Sequence, residues 1–254
     1  MQHVPQASTV SKLAQVAEDQ WGLVTRRQAG TADVSPATLQ RLSNEGVLER
    51  VGHGVYHLAG APLPDQVPLR AAWLQLCPDT PAWERLGKPG QGVVSHRSAA
   101  ALYDLGHLPA DTHEFTLPAR RQTRRPDVRI HRGKVGDDEW GILRGLPVTR
   151  PSRIASDLLA VREDPEAVAH VVADAIRKKN EYAATFVGAL APRAAQLGLR
   201  RGDGLAVLRW LLELVGDPAT PRWLEEAQPV ITDITSAGGF PPPPQPDASG
   251  PEDG

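Results

Sequence analysis

The order of helix caps and turns between residues 25 and 58 constrains the fold of this chain more than any other feature. Thr25 precedes the segment RRQAG, and Ser35 precedes the segment PATLQRLSNEG. In the second segment Pro36 occupies the first helical position and Gly46 stands just past the end. Ser and Thr side chains cap helix N-termini, and Pro and Gly favour those two positions. Two short helices joined by the turn TADV are therefore predicted, with the spacing of a helix-turn-helix.

A hairpin pattern follows these two helices directly. Residues 47–51 and 55–58 are rich in strand-forming residues, and Gly52-His53-Gly54 separates them as a tight turn. Residues 9–19 place apolar side chains at helical spacing ahead of the first short helix. A helix, a helix-turn-helix and a hairpin, in that order, predict a winged helix-turn-helix domain over residues 1–60.

The rest of the chain predicts a larger domain and a tail. Residues 61–68, with three prolines, read as a linker. Residues 69–235 combine strand-like and helical patterns, which include a helix capped by Ser95 and ended by Gly106. The predicted strands cover 113–119, 127–133 and a pair within 140–149, and four helical segments follow Pro151. Residues 236–254 lack the apolar content to fold and are predicted to be disordered. The predicted fold class is α+β, with a helical C-terminal part.

Positive charge is concentrated in one stretch of a slightly acidic chain. The sequence contains 28 basic and 30 acidic residues, yet residues 117–134 hold seven basic residues and one acidic residue. The arginines are Arg120, Arg121, Arg124, Arg125, Arg129 and Arg132. Such a cluster contacts phosphate, contacts an acidic partner, or lies in solvent as a loop that keeps strand edges soluble. The sequence leaves these three alternatives open.

The second short helix has a polar side suited to reading DNA. Leu39 and Leu42 define its inward side, which turns Gln40, Arg41 and Asn44 outward or sideways, together with Ala37. Arginine pairs with guanine, and Gln or Asn with adenine, in bidentate geometry. We therefore predict that this helix recognises base edges, whereas Arg26 and Arg27 on the preceding helix position the protein on the DNA backbone.

Residues 24–60, VTRRQAGTADVSPATLQRLSNEGVLERVGHGVYHLAG, closely resemble the winged-helix domain of AbiEi-family antitoxins of type IV toxin-antitoxin systems. The segments VVSHRSAAALYDLG, HEFTLP, VRIHRG and GLPVTRPSRIASDLL follow in the order seen in actinobacterial members. The resemblance implies a transcriptional autoregulator that binds operator DNA through the winged helix and antagonises a nucleotidyltransferase-like toxin. Many relatives carry Arg at the tip of the wing where this chain has His53. A histidine carries less charge than an arginine at neutral pH, which weakens the expected grip on phosphate.

The predicted sites and partners follow from these residues and from the resemblance. The predicted DNA-binding residues are Arg26, Arg27, Ser35, Ala37, Thr38, Gln40, Arg41, Asn44 and His53. The expected partners are double-stranded operator DNA and the cognate toxin, with a dimer on DNA as a further expectation. The alternative function is a winged-helix regulator whose second domain binds a ligand or a protein partner.

Enzymatic functions find no support in the sequence. A restriction-type nuclease needs an (Asp/Glu)-x-Lys strand, and the strand after Asp127 lacks it. The segment GKPGQG lacks the order of a P-loop. The histidines are scattered without partners at zinc-ligand spacing, and Asp137, Asp138 and Glu139 indicate a solvated turn. We predict no enzyme, no cofactor and no metal site.

Composition also sets the expected location. No apolar run approaches the roughly 20 residues of a membrane span. The first 22 residues lack the order of a signal peptide, and the single cysteine, Cys77, cannot form an internal disulfide. We therefore expect a cytoplasmic protein, in which Cys77 is an apolar packing residue.

Overall fold

The structure, a computed structural model, describes residues 8–228 of the chain. The tail predicted to be disordered, 236–254, and residues 229–235 lie outside the described residues. Within residues 8–228 the chain forms ten α-helices and two separate β-sheets. The fold is mixed α+β, as the sequence predicts.

Three helices and three strands build the N-terminal winged helix. They are α1 (Thr9–Glu18), β1 (Leu23–Thr25), α2 (Arg26–Thr31), α3 (Pro36–Asn44), β2 (Leu48–Gly52) and β3 (Val55–Leu58). The strands pair antiparallel in the order β1-β3-β2. The three helices and the hairpin confirm the prediction. Strand β1 was not predicted, because a three-residue strand is too short to show an alternating pattern.

The winged helix has its own small core. Leu13 of α1, Leu39 and Leu42 of α3, and Leu48 of β2 belong to one buried cluster. Each fully buried Leu contributes about 1.5–3 kcal/mol relative to an exposed one. This packing fixes which side of α3 faces inward and leaves the opposite side to solvent.

Helix α4 (Val67–Leu76) packs against the three-stranded sheet. It begins at Val67 and so includes the last two residues of the predicted linker, 61–68. Leu23 of β1 and Val55 of β3 are fully buried in the same cluster as Trp73 of α4. The winged helix therefore shares a core with the following residues, although the predicted domain boundaries at 60 and 68 remain a prediction.

A five-stranded mixed sheet forms the centre of the second part. Its strands and the helix between the first two are β4 (Val93–Val94), α5 (His96–Leu102), β5 (His113–Leu117), β6 (Val128–Arg132), β7 (Trp140–Leu143) and β8 (Leu146–Thr149). The strand order is β6-β5-β4-β8-β7, in which β5-β6 and β4-β8 are parallel and the other pairs antiparallel. The strands β5 to β8 confirm the prediction, and the two-residue strand β4 was not predicted.

A hairpin turn and a helix cap of this part can be compared with the sequence predictions. The β7-β8 hairpin turns at Arg144 and Gly145, with φ angles of 49° and 77°. Positive φ at both positions is the geometry of a type I′ turn. Ser95 precedes α5, as predicted, but the prediction that its side chain caps the helix is wrong, because its hydroxyl makes no capping hydrogen bond to α5. Its hydroxyl instead bonds to the side chains of His96 and Thr116.

Most of the described residues after β8 are helical, as predicted. The helices are α6 (Pro151–Ala160), α7 (Pro165–Arg177), α8 (Ala183–Leu190), α9 (Gly204–Val215) and α10 (Thr220–Ala227), with a 3-10 helix at Ala191–Leu197. Their buried side chains, such as Ile154, Val172 and Leu211, join the cluster that contains Trp73 and Phe115. One continuous core thus runs from the three-stranded sheet to the C-terminal helices.

Candidate nucleic-acid interface

Helix α3 presents the polar side that the sequence predicts. Leu39 and Leu42 are 1% and 4% exposed, whereas Gln40, Arg41 and Asn44 are exposed. Ala37 and Ser35 are also exposed, and Thr38 is half-buried. The structure therefore brings these residues onto one end and one side of the same helix, as predicted from their spacing.

Local hydrogen bonds define where α3 begins. The Ser35 hydroxyl accepts a hydrogen bond from the Thr38 backbone N–H at 3.1 Å, which satisfies one otherwise unpaired donor of the first turn. The Ser35 and Thr38 hydroxyls lie 2.9 Å apart and bond to each other. Both side chains thus hold the helix start in place, and their hydroxyl groups are engaged within the chain.

The outward side chains of α3 pair with each other along the helix. Arg41 Nη1 donates to Glu45 Oε1 at 2.7 Å, and Gln40 Nε2 donates to Asn44 Oδ1 at 2.9 Å. Both pairs have (i, i+4) spacing, and such exposed pairs contribute only about 0.2–0.5 kcal/mol. A bidentate contact to a base contributes about 1–3 kcal/mol of discrimination. A base edge can therefore displace either internal partner.

Helix α2 starts in a capping box beside the second part of the chain. The Thr25 hydroxyl accepts from the Gln28 backbone N–H, and Gln28 Oε1 accepts from the Thr25 backbone N–H. The same hydroxyl donates to the Pro78 carbonyl. Arg26 and Arg27 follow this cap and are exposed, and Arg27 lies 3.7 Å from the Asp79 carboxylate. The capping box thus fixes the place from which both arginines project.

The wing is the hairpin between β2 and β3, and its tip is His53-Gly54. Gly54 adopts φ +63°, a conformation that glycine tolerates best. Its carbonyl accepts the Arg26 backbone N–H at 2.8 Å and Gln75 Nε2 at 3.2 Å. His53 is exposed at this tip. The tip is thus held from two sides, by α2 and by α4, while the His53 side chain faces solvent.

The six arginines of the basic stretch lie in different surroundings. Arg120, Arg121 and Arg124 are exposed in the connection between β5 and β6, and Arg125 pairs there with Asp127. Arg129 of β6 lies 3.6 Å from the buried carboxylate of Glu114, and Arg132 is exposed at the strand end. The structure therefore separates these arginines, although they are close in sequence.

The side chains that join the winged helix to the second part were missed by the sequence analysis. The Trp21 indole contacts Trp73 edge to face, and the Arg70 guanidinium lies 4.5 Å from the centre of a Trp21 ring. Gln75 was missed as well, although it contacts the wing. Each of these contacts joins residues at least 21 positions apart, and no local pattern signals such pairs.

A buried polar cluster lies on the face of the five-stranded sheet opposite α4. The rings of His96 and His131 stack with centroids 3.5 Å apart, and Glu114 lies 3.3 Å from His131 Nε2. Burial disfavours the charged imidazolium and lowers the pKa of His96 to about 3. Burial raises the pKa of Glu114, but hydrogen bonds from His131 and from the Arg97 backbone hold it below the usual value. Between residues 8 and 228, no three metal-ligating side chains lie close enough to hold an ion.

Residues 11–59 match the protein family described as "Transcriptional regulator, AbiEi antitoxin". The winged helix is similar to the AbiEi antitoxin domain. The match runs from the third residue of α1 to just past β3 and includes the cap at Ser35, the outward side of α3 and the wing. It confirms the resemblance stated for residues 24–60. The AbiEi family name supports roles as an antitoxin and as a regulator of transcription.

Two further findings concern related proteins and membrane-spanning helices. Among curated proteins, none matches this chain. In the part of the chain that the structure describes, no helix combines the length and the apolar character that crossing a bilayer requires.

Proposed function

We propose that this protein is a DNA-binding antitoxin of a type IV toxin-antitoxin system, which represses its own operon and antagonises a nucleotidyltransferase-like toxin. The observation that carries the DNA-binding part is the outward row Gln40, Arg41 and Asn44 on α3, an N-capped helix held by the buried Leu39 and Leu42. The AbiEi match over the same residues supports the assignment.

Helix α3 enters the major groove, where its side chains contact base edges. Arg41 reads guanine and Gln40 or Asn44 reads adenine, because their donors and acceptors match those edges in pairs. Ser35, Ala37 and Thr38 at the helix start lie against the backbone or the thymine methyl groups. The weak internal pairs of Arg41 and Gln40 open on binding, since each contributes less than the base contact that replaces it.

Phosphate contacts position the helix in the groove. Arg26 and Arg27 project from the start of α2, and His53 projects from the wing tip next to Arg26. These side chains fix the register of the protein without reading sequence. If two copies bind together, operator half-sites are expected to lie one or more helical turns apart.

A footprint tests the DNA-binding part of the proposal. The full chain is expected to protect a defined site in the DNA upstream of its own gene, and the double variant Gln40→Ala/Arg41→Ala is expected to lose that protection. A wild-type chain that protects no site, or that binds all duplexes equally, would contradict the assignment of α3 as the reading helix.

Co-expression tests the antitoxin part separately. The neighbouring gene is placed under an unrelated inducible promoter, so that repression by this protein cannot lower toxin synthesis. The full chain and the Gln40→Ala/Arg41→Ala variant are both expected to restore growth, because antagonism and DNA reading are separate tasks in the resembled family. Failure of both chains to restore growth would favour the alternative, a regulator whose second part binds a ligand or another partner.

A further inference from the structure

The connection between β5 and β6, residues 118–127, is docked on the end of helix α4. We call this segment the arginine loop. The Arg121 guanidinium donates a hydrogen bond to the Leu76 carbonyl, the last residue of α4. Ala72 and Gln75 of α4 line one shallow cleft together with loop residues Gln122 and Thr123. The arginine loop is thus held against α4 by contacts that leave part of its surface to solvent.

The same end of α4 is docked on the wing. Gln75 Nε2 donates to the Gly54 carbonyl at 3.2 Å. A Cβ atom placed on Gly52 would lie 3.2 Å from the Ala71 side chain, so the wing backbone lies directly on the helix. Gln75 and Leu76 are neighbours in sequence, and consecutive Cα atoms are about 3.8 Å apart. One residue of α4 therefore contacts the wing tip while the next contacts the arginine loop.

The four arginines of the arginine loop divide into two pairs. Arg121 bonds to α4, and Arg125, whose side chain is 24% exposed, pairs with Asp127. Arg120 and Arg124 are exposed, and neither has a carboxylate partner within 4.0 Å between residues 8 and 228. Arg121 and Arg125 thus anchor the loop, and Arg120 and Arg124 remain available to a ligand.

Arg129 belongs to a different surface. Side chains alternate between the two faces of a strand, so Val128 and Ile130, which line the α4 cleft, face away from Arg129 and His131. Arg129 lies beside Glu114 on that opposite face. The basic stretch of the sequence is therefore divided by the sheet, and its α4 side continues the surface of the wing.

We infer that Arg120 and Arg124 bind DNA phosphates beside those contacted by the wing, so that wing, α4 end and arginine loop form one phosphate-binding surface. The inference rests on the proposed DNA-binding function. A polyanion is the favoured ligand because Arg120 and Arg124 flank the Arg121 contact to Leu76, and the neighbouring Gln75 contacts the wing tip beside Arg26. Bringing DNA to the wing brings its backbone to them as well, at little further cost in entropy.

Salt dependence of binding tests the inference with a matched control. The probe is a random-sequence 24-base-pair duplex, so that base reading by α3 does not enter. The variant Arg120→Gln/Arg124→Gln is compared with Arg200→Gln/Arg201→Gln, which removes the same charge from two exposed arginines ahead of α9. Anisotropy titrations between 50 and 200 mM salt give the slope of log affinity against log salt, and circular dichroism melting checks the fold of each variant.

The loop variant is expected to flatten this slope by about 0.9 for each lost phosphate contact. The control is expected to keep the wild-type slope, and Arg120→Lys/Arg124→Lys is expected to retain most of it. An unchanged slope for the loop variant, with normal wild-type binding, would assign both arginines to an acidic protein partner or to solvent and overturn the inference. The proposed function would then stand. Equal flattening by the control would show a long-range charge effect and also overturn the inference. A wild-type chain that binds neither this probe nor the operator duplex would overturn the inference together with the DNA-binding part of the proposed function.

Discussion

The indole rings of Trp21 and Trp73 meet edge to face, with centroids 6.0 Å apart and planes inclined by 67°. Trp21 lies between α1 and β1 of the winged helix, and Trp73 lies fully buried in α4. Leu23 and Val55 of the three-stranded sheet are buried in the same cluster as Trp73. The winged helix and the second part are therefore expected to unfold together, since neither covers these side chains alone.

Leu23→Ala tests this shared core. The side chain is fully buried, and the change is expected to lower the free energy of unfolding by about 2–5 kcal/mol, the range for Leu→Ala in a core. The far-UV signal and the tryptophan fluorescence should shift to the same lower melting temperature. Two separate transitions, of which only one moves, would show that the two parts fold independently.

Arg41→Ala is expected to weaken binding to the operator duplex by about 1–3 kcal/mol, because a bidentate base contact is lost. Binding to a scrambled duplex should weaken less. Arg222→Ala is the matched control, since Arg222 pairs with Glu226 at 2.8 Å with the same (i, i+4) spacing. Equal losses on both duplexes would identify Arg41 as a phosphate contact.

His53→Arg places a full positive charge at the wing tip. One added phosphate contact is expected to tighten binding at low salt and to steepen the log affinity against log salt slope by about 0.9. His107→Arg is a matched control, because His107 is exposed in the connection between α5 and β5, outside the winged helix. If both variants change the slope equally, the added net charge explains the effect and the wing tip does not contact phosphate.

Acidification is expected to destabilise the protein through His96. Burial holds the pKa of His96 at about 3 in the folded chain, below the reference value of about 6.5 for an unfolded one. Between those pH values the unfolded chain binds the extra proton and the folded chain does not. The contribution of neutral His96 to the free energy of unfolding is therefore complete above about pH 6.5 and is lost as the pH falls. The loss is up to about 1.4 kcal/mol per pH unit.

The variant His96→Asn tests this assignment by urea unfolding at pH 6.5, 5.5 and 5.0. Asparagine tolerates the φ of +53° at this position and does not titrate. The variant should lose less stability than the wild type over this range. Some loss remains, because burial also lowers the pKa of His113. Glu114, whose pKa in the folded chain lies below its reference value of about 4.5, adds a further loss of stability only as the pH falls towards that value. Identical pH profiles for both chains would exclude His96 as the source.

Local chemistry determined the winged helix and the face of α3. The caps at Thr25 and Ser35, Pro36 at the first helical position and Gly46 past the end act within a few residues. Leu39 and Leu42, three positions apart, decide which side of one helix is buried, so the outward side was predictable. The exposure of Gln40 and Arg41 could thus be derived from the sequence, but their internal hydrogen-bond partners could not.

The tertiary structure alone decided how the parts meet and which arginines share a surface. Strands β1 and β4 have three and two residues, and they form only because partner strands supply their hydrogen bonds. Gln75 meets Gly54 across 21 positions, and Arg121 meets Leu76 across 45. Such contacts depend on the packing of α4 between the wing and the five-stranded sheet. Sequence spacing carries no information about that packing, because distant segments are brought together by burial of apolar surface that has no preferred direction.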